Sequence, residues 1–339
     1  MIRWLLPETG NSYKANLHCH TTCSDGRLTP QQIKEAYRRE GYSVVAFTDH
    51  DILLPHNDLR DDDFLPLNGF EIEINEENVP HEKRKTCHLC FVSLDENNLV
   101  QPVWHRTAYL FGGAPSHRGE VLFDPEVPDF VRTYTPECVN EAIRMGKEHG
   151  FFVTYNHPVW SLESYPQYSR YEGMDAMEIV NYSSLIEGYE ERCGWAYDDL
   201  LRQGKRLFCI ATDDNHNGRP FSDPACDSFG GYIVLKAPAL TYPLIASALK
   251  NGEFYSSEGP EIRALWFDGE KRELHIVCSP AVRIICTTAA RSSRAVDLAR
   301  IGQTVSEAVF TLEPSDEYAR ITVTDVTGKS AYTNAVSLF

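Results

Sequence analysis

Three observations predict a distorted (β/α)7 barrel, TIM-like, followed by a small all-β, sandwich-like domain. Strand-length apolar segments alternate with helix-length segments from about Lys14 to Leu235. The polar residues able to carry chemistry fall just after the ends of those strands, where a barrel keeps its active face. Beyond Glu258-Gly259-Pro260 only short alternating strands remain. A chain of 339 residues can hold one barrel-sized domain, 1–260, and a small one, 261–339.

Each element follows from local chemistry. The first strand runs into His18-Cys19-His20, and alternation turns both imidazoles to one face and Cys19 to the other. Asp25 follows in a Ser-Asp-Gly turn. Thr29-Pro30 opens a helix to about Arg39, with proline at its first position and Gly41 ending it. A strand over Ser43–Thr48 then ends in Asp49-His50-Asp51, so the unit predicts parallel strands with a right-handed crossover. Further strands are expected at Phe64–Ile74, with Glu71, and at Thr86–Leu94, with His88. A helix over Glu137–His149 leads to a strand over Phe151–Tyr155 and then to His157. A strand over Ala176–Val180 precedes one helix, Ile186–Gln203. A strand over Leu207–Thr212 runs into Asp213-Asp214-Asn215-His216, and Tyr232–Leu235 is the last strand of this part. Asp95–Pro136 breaks the rhythm, and a stretch of that length is expected to be a lid, a binding loop or a subdomain. The C-terminal strands read IRALWFD, ELHIVCS, RIICTT, VFTLEP, ARITVTD and SAYTNAVSLF.

Composition narrows the function. With 32 Lys and Arg against 49 Asp and Glu, the net charge is -17, which argues against a basic track for long nucleic acid. Bound divalent cations would offset part of that acidity locally. A mean hydropathy of -0.36 and the lack of a long apolar run predict no membrane span. The short apolar run before Pro7 is no secretory leader, so a cytoplasmic location is expected. The ten cysteines are scattered, several inside apolar runs (Cys90, Cys209, Cys278, Cys286), as for buried free thiols in a reducing compartment.

The polar residues at strand ends form one constellation: His18, His20, Asp25, His50, Glu71, His88, His157, Asp214 and His216. It draws on six of the twelve histidines. Imidazole nitrogens with carboxylate oxygens suit Zn, Mn or Fe, and two or three divalent ions would use the whole set. A central glutamate could bridge two ions, the arrangement that clamps a phosphoryl group for attack by a metal-bound hydroxide.

The ordered motifs HCHTTCSDG, TDHD, GFEIE, CHL, YNHP and TDDNH resemble those of the polymerase-and-histidinol-phosphatase (PHP) domain, over about Lys14–Leu235. RLFCIATDDNH, EFYSSEGPEI and the terminal AYTNAVSL are similar to the branch of that family with a C-terminal β-domain. The resemblance implies a distorted barrel, two or three metals and phosphoester hydrolysis. It implies one ion on His18, His20 and Asp214 or Asp213, a second on His88 and His157 bridged by Glu71, and a third on Asp25 and His50. His216 matches the closing Asp-x-His motif. The extra aspartate in TDDNH leaves Asp213 and Asp214 as alternatives, and spacing favours Asp214.

Around that set, Glu73 shares a strand face with Glu71 and could replace it, while Asp49 reads as a carboxylate that orients a ligand. Asp51 and His56 read as loop residues, and His81, His149 and His275 as solvated. His216 or a metal-bound water is the candidate for passing a proton to the leaving oxygen. Arg219 offers a guanidinium fork to phosphate, with a surface ion pair as the equal alternative. Trp160 reads equally as a stacking surface or wall packing; Arg106, Arg118, His105 and His117 of the insertion are weaker candidates. The function expected is a metal-dependent phosphoesterase acting on a small phosphorylated metabolite or nucleotide. The rivals are a metal-dependent amidohydrolase, for which a bridging lysine is expected, a proofreading-type nuclease, and a catalytically idle binding protein.

Overall fold

The computed structural model describes residues 2–337. The chain begins with β1 (Ile2–Trp4), β2 (Asn11–Asn16), α1 (Pro30–Arg39), β3 (Tyr42–Phe47), β4 (Leu65–Asn75) and β5 (Thr86–Ser93). Next come α2 (Ala114–His117), α3 (Pro136–Glu148), β6 (Phe151–Asn156), α4 (Tyr165–Tyr168), β7 (Ala176–Asn181), α5 (Tyr182–Glu187) and α6 (Gly194–Arg202). They are followed by β8 (Phe208–Thr212), β9 (Tyr232–Ala237), α7 (Tyr242–Asn251) and β10 (Phe254–Ser257). The rest is all strand: β11 (Ile262–Asp268), β12 (Glu273–Ala281), β13 (Arg283–Thr288), β14 (Arg294–Asp297), β15 (Val305–Thr311), β16 (Tyr318–Thr324), β17 (Ser330–Thr333) and β18 (Val336–Ser337). The last strand expected from sequence ends at residues 338–339, outside the described residues.

Local rules account for most of these bounds. Thr29 and Gln32 close a capping box on α1, with Pro30 in its first turn. The single helix expected over Ile186–Gln203 is instead two, because Gly188 takes a left-handed conformation (φ 100°) and ends α5. Helix α7 lacks a sequence expectation of its own; it packs Tyr242, Ile245 and Leu249 into the core ringed by the strands.

The mixed α/β class holds, but the closed barrel does not. The principal sheet runs β14-β13-β16-β17-β10-β9-β2-β3-β4-β5-β6-β7-β8, with β18 on β16. Its middle is parallel only in blocks. β2–β3–β4 and β6–β7–β8 are parallel, whereas β5 is antiparallel to both its neighbours and β9 is antiparallel to β2. Only a single 3-10 turn, His81–Lys83, separates β4 from β5, so the β–α alternation fails there and the two form a hairpin. The sheet still curls. Ala15, Val44, Leu67, Val92, Phe152, Ala176, Ile210 and Ile233, one from each of β2 to β9, share one buried core. No ladder joins β8 to β9. The chain from 213 to 231 intervenes, and just before β9 the backbone comes so close to β8 that a Cβ on Gly231 would stand 2.2 Å from the Thr212 carbonyl oxygen.

A second, antiparallel sheet, β1-β11-β12-β15, faces β13, β16 and β17 across a core of Leu265, Ile276, Phe310, Ile284, Ile321 and Val323. Strand pairing crosses the division expected at residue 260 at two places. Strand β1 pairs with β11, and β10 pairs with both β9 and β17, so the principal sheet is continuous into the C-terminal part. Two ion pairs fasten the join, the first buried on both sides and the second pairing an exposed arginine with a buried glutamate. Arg320 on β16 grips Asp198 of α6 through two bonds of 2.7 Å, and Arg192 reaches Glu258 at 2.8 Å. Replacing Asp198 with alanine leaves the Arg320 guanidinium buried and unpaired, which should cost about 3–5 kcal/mol in denaturant unfolding. A loss below about 1 kcal/mol would show that the pair is not a fastening.

Candidate metal centre

The site is built at one rim of the curled sheet. Strand β2 ends at Asn16, so His18 and His20 sit on its extended continuation rather than inside it. That continuation is tied to the chain after β8 by a parallel bridge between Cys19 and Asn215. The Asp214 amide donates to the His18 carbonyl (3.0 Å) and the His20 amide to that of Asn215 (3.1 Å). Two segments almost 200 residues apart in sequence are thereby locked side by side. Alternation does the rest, and both imidazoles present Nε2 to the same point, 3.1 Å apart.

Four ligand atoms meet there. His18 Nε2 lies 3.2 Å from Glu71 Oε2 and 3.1 Å from Asp214 Oδ1. His20 Nε2 lies 3.3 Å and 3.1 Å from the same two oxygens. Bonds of about 2.0–2.2 Å to a tetrahedral zinc-class ion require ligand separations of about 3.3–3.6 Å, close to these spacings. The other oxygen of Glu71 turns away from this group. Its Oε1 lies 3.1 Å from His88 Nδ1, 3.5 Å from His157 Nε2 and 3.0 Å from Asn156 Nδ2. A third group surrounds Asp25. His20 Nδ1 is 3.6 Å from its Oδ1, while His216 Nε2 and His50 Nε2 are 3.4 Å and 3.8 Å from its Oδ2. All nine residues expected from sequence are therefore gathered, within three overlapping groups of possible ligands.

The buried atoms fit cations. His20 Nδ1, His50 Nδ1 and His88 Nε2 are buried without a hydrogen-bond partner among the described residues, a costly state for an imidazole nitrogen with nothing to bind. Burial alone would strip the His20 ring of charge, but Asp214 and Glu71 outweigh it, and its pKa is pushed up to about 10. His157 rises to about 9, as Glu71 and Asp214 outweigh its burial. His50 instead falls to about 3, through burial and the neighbouring His20. The carboxylates demand positive charge that the crowded imidazoles cannot all supply as protons, and divalent ions are the group that fits.

The choice between adjacent aspartates has a geometric counterpart. Asp214 faces the histidines with φ 53°, a strained conformation of the sort found at functional sites. Asp213 points the other way, accepting from the amides of Phe229, Gly230 and Gly231 and from the Tyr37 hydroxyl. Asp49 takes the orienting position, accepting from Thr21 and Ser24 in the loop that carries Asp25. Glu73 is partly exposed and 3.7 Å from His88 Nε2, so it stands beside Glu71 rather than in its place. Asp51 is not a free loop residue: it is buried and ion-paired with Arg132 of the insertion.

A cavity of about 680 Å³ opens over the cluster, lined among others by Glu73, Trp160, Glu187, His216, Arg219 and Asp227. His81, expected to be solvated, also lines it. Trp160 packs near His157 and His88 and donates to Glu187 (3.1 Å), so it forms wall. Arg219 stands at the rim, exposed and 3.3 Å from Asp223. From the insertion, Phe111 reaches the cavity beside His50, while Arg106, Arg118, His105 and His117 bond within the insertion.

Sequence reasoning missed Glu178. This fully buried residue of β7 accepts from His18 Nδ1 (2.8 Å), Thr212 Oγ1 (2.6 Å), the His157 amide (2.9 Å) and Asn181 Nδ2 (2.9 Å). Holding a proton on His18 Nδ1, it leaves Nε2 free as a lone-pair donor. Its one trace in the sequence is a charge inside an otherwise apolar strand, AMEIVN. Glu191 was missed likewise. It is buried and accepts from the Val159 and Trp160 amides, fixing the turn after His157.

No family model matches the chain, and neither does any curated protein. Solved structures with some likeness include a two-domain protein from Bacteroides vulgatus containing a predicted PHP-like metal-dependent phosphoesterase, at 15% identity, TM-score 0.42 and 98% coverage of both chains. A protein from Bifidobacterium adolescentis, provisionally described as a metal-dependent phosphoesterase, shares 17% identity at TM-score 0.40, over 62% of this chain and 91% of that one. An amidohydrolase from Chromobacterium violaceum, solved with sulfate and no metal, shares 15% identity at TM-score 0.37, over 62% and 93%.

Replacing Glu178 with glutamine should leave the fold intact and weaken metal binding about 10–100-fold, read in a competition titration with a chelating dye. Unchanged affinity would remove Glu178 from the site.

Proposed function

We propose that the chain is a metal-dependent phosphoesterase of the PHP type, acting on a small phosphorylated metabolite or nucleotide. One observation carries this reading: the two oxygens of the buried Glu71 carboxylate address two separate sets of imidazoles. His18, His20 and Asp214 would hold one ion, His88 and His157 a second across Glu71, and Asp25 with His50 a third. Divalent ions so held supply Lewis acidity toward phosphoryl oxygens and acidify bound water.

The chain's own residues do the rest. Glu178 and Glu191 fix His18 and the turn after His157. His216 lies at the mouth of the cluster, a third exposed; burial opposes its charge, but Asp25 and Asp214 keep its basicity raised. It is the residue placed to hand a proton to the leaving oxygen. Arg219 at the rim could leave Asp223 for a phosphate oxygen. A cavity of about 680 Å³ suits a small molecule. Arg219 is the one lysine or arginine lining it among the described residues, together with Glu73, Glu187 and Asp227, which disfavours a long polyanion. The carboxylate Glu71 at the bridging position, and the lack of a lysine lining the cavity among the described residues, favour this reading over an amidohydrolase.

Protein purified without chelator should contain at least two equivalents of Zn, Mn or Fe by elemental analysis. It should also hydrolyse p-nitrophenyl phosphate or its bis ester. His20→Ala should lose at least one equivalent and about 10²-fold or more of the activity. Less than one equivalent after reconstitution would overturn the multinuclear site, and a metal-filled protein inert to both esters would overturn the phosphoesterase reading in this form.

A further inference from the structure

We propose that Cys23, Asp49 and His56 form a separate metal site, selective for a single zinc-class ion, behind the loop that carries Asp25. A sulfur, a carboxylate oxygen and a ring nitrogen of these residues lie within 4.8 Å of one another. None of the three lines the cavity over the histidine cluster. The donor set also differs in kind. The cluster offers nitrogen and oxygen, whereas this site adds a sulfur, which suits zinc or cobalt better than magnesium or manganese.

Each residue is held where a ligand would need it. Asp49 is buried, and three donors fix its carboxylate: the Thr21 amide at 2.8 Å and the Ser24 hydroxyl at 2.6 Å on Oδ1, the Thr21 hydroxyl at 2.8 Å on Oδ2. A carboxylate accepts about four such bonds, so one direction on Oδ2 is left over. His56 is anchored through its amide, which donates to Asn68 Oδ1 (3.1 Å), and its ring packs 4.7 Å from that of Phe47. Its Nε2 is buried with no hydrogen-bond partner among the described residues. Cys23 is buried in a small core with Ile52, Leu54, Trp104 and Val121, directly beneath the insertion.

Three protein ligands and a water complete a tetrahedral shell. The ion would tie the 21–25 loop to the continuous stretch that runs from Asp49 through His50 to His56. Its role is to stiffen the ground on which Asp25 and His50 stand. The site does not depend on which ester, if any, the cavity accepts.

Cobalt substitution separates the two kinds of site. The full chain, stripped with chelator and reloaded with Co²⁺ alone, should show visible d–d bands from the histidine cluster. It should also show a near-ultraviolet sulfur-to-cobalt charge-transfer band from Cys23. Cys23→Ser should abolish the near-ultraviolet band, keep the visible ones and lower zinc content by one equivalent; His56→Gln should weaken the same band. Retained visible bands show that the variants fold. A cobalt-loaded wild type without the near-ultraviolet band, or a band that survives Cys23→Ser, would overturn the proposal while leaving the phosphoesterase reading untouched.

Discussion

The carboxylate of Glu71 is the constraint on which the rest depends. It is 1% exposed, and an ionised carboxylate that far from water is stable only if positive charge reaches it from several sides. Its strand lies centrally, paired to β3 on one edge and β5 on the other, so rings from four different strand ends can converge on it. His18 and His20 approach one oxygen, His88 and His157 the other. The bridge between His50 and Glu71 and the bond from the Asp51 amide to the Glu71 carbonyl hold the backbone in register with the side chain. What looks like a set of ligands is also a solution to burying one negative charge.

A good part of this was legible in the sequence, for a physical reason. Ligands at strand ends obey local rules, because alternation fixes the face of His18 and His20, and a turn fixes Asp25, within a few residues. The curled sheet was legible through its beat of strand and helix, but its closure was not. Whether β8 meets β9 depends on how the 213–231 chain packs, and no periodicity encodes that. The β4–β5 hairpin escaped for a similar reason, since two strands look alike whether they run parallel or antiparallel.

Residues whose roles depend on distant partners were the least legible. Glu178 matters because β7 lies in register beside β8 and opposite His18, 160 positions away in sequence. Arg132 reads as one more arginine in an irregular stretch, yet it is buried against Asp51, which neighbours a ligand. The same residue donates to the Glu73 carbonyl at 3.0 Å and stacks on Tyr109. The insertion is thus moored to the β4 backbone by a guanidinium, and Gly113, whose amide reaches the Ser24 carbonyl at 2.5 Å, moors its middle to the Asp25 loop.

Strand β10 carries a consequence for how this chain could be cut. It is four residues long, paired on one edge with β9 of the curled sheet and on the other with β17. A break after residue 260 would bare that second edge, orphan β1 and leave Asp198 without Arg320. Unpaired edges of this kind recruit other chains. Truncation or proteolytic separation at this point would therefore leave unpaired strand edges on both parts.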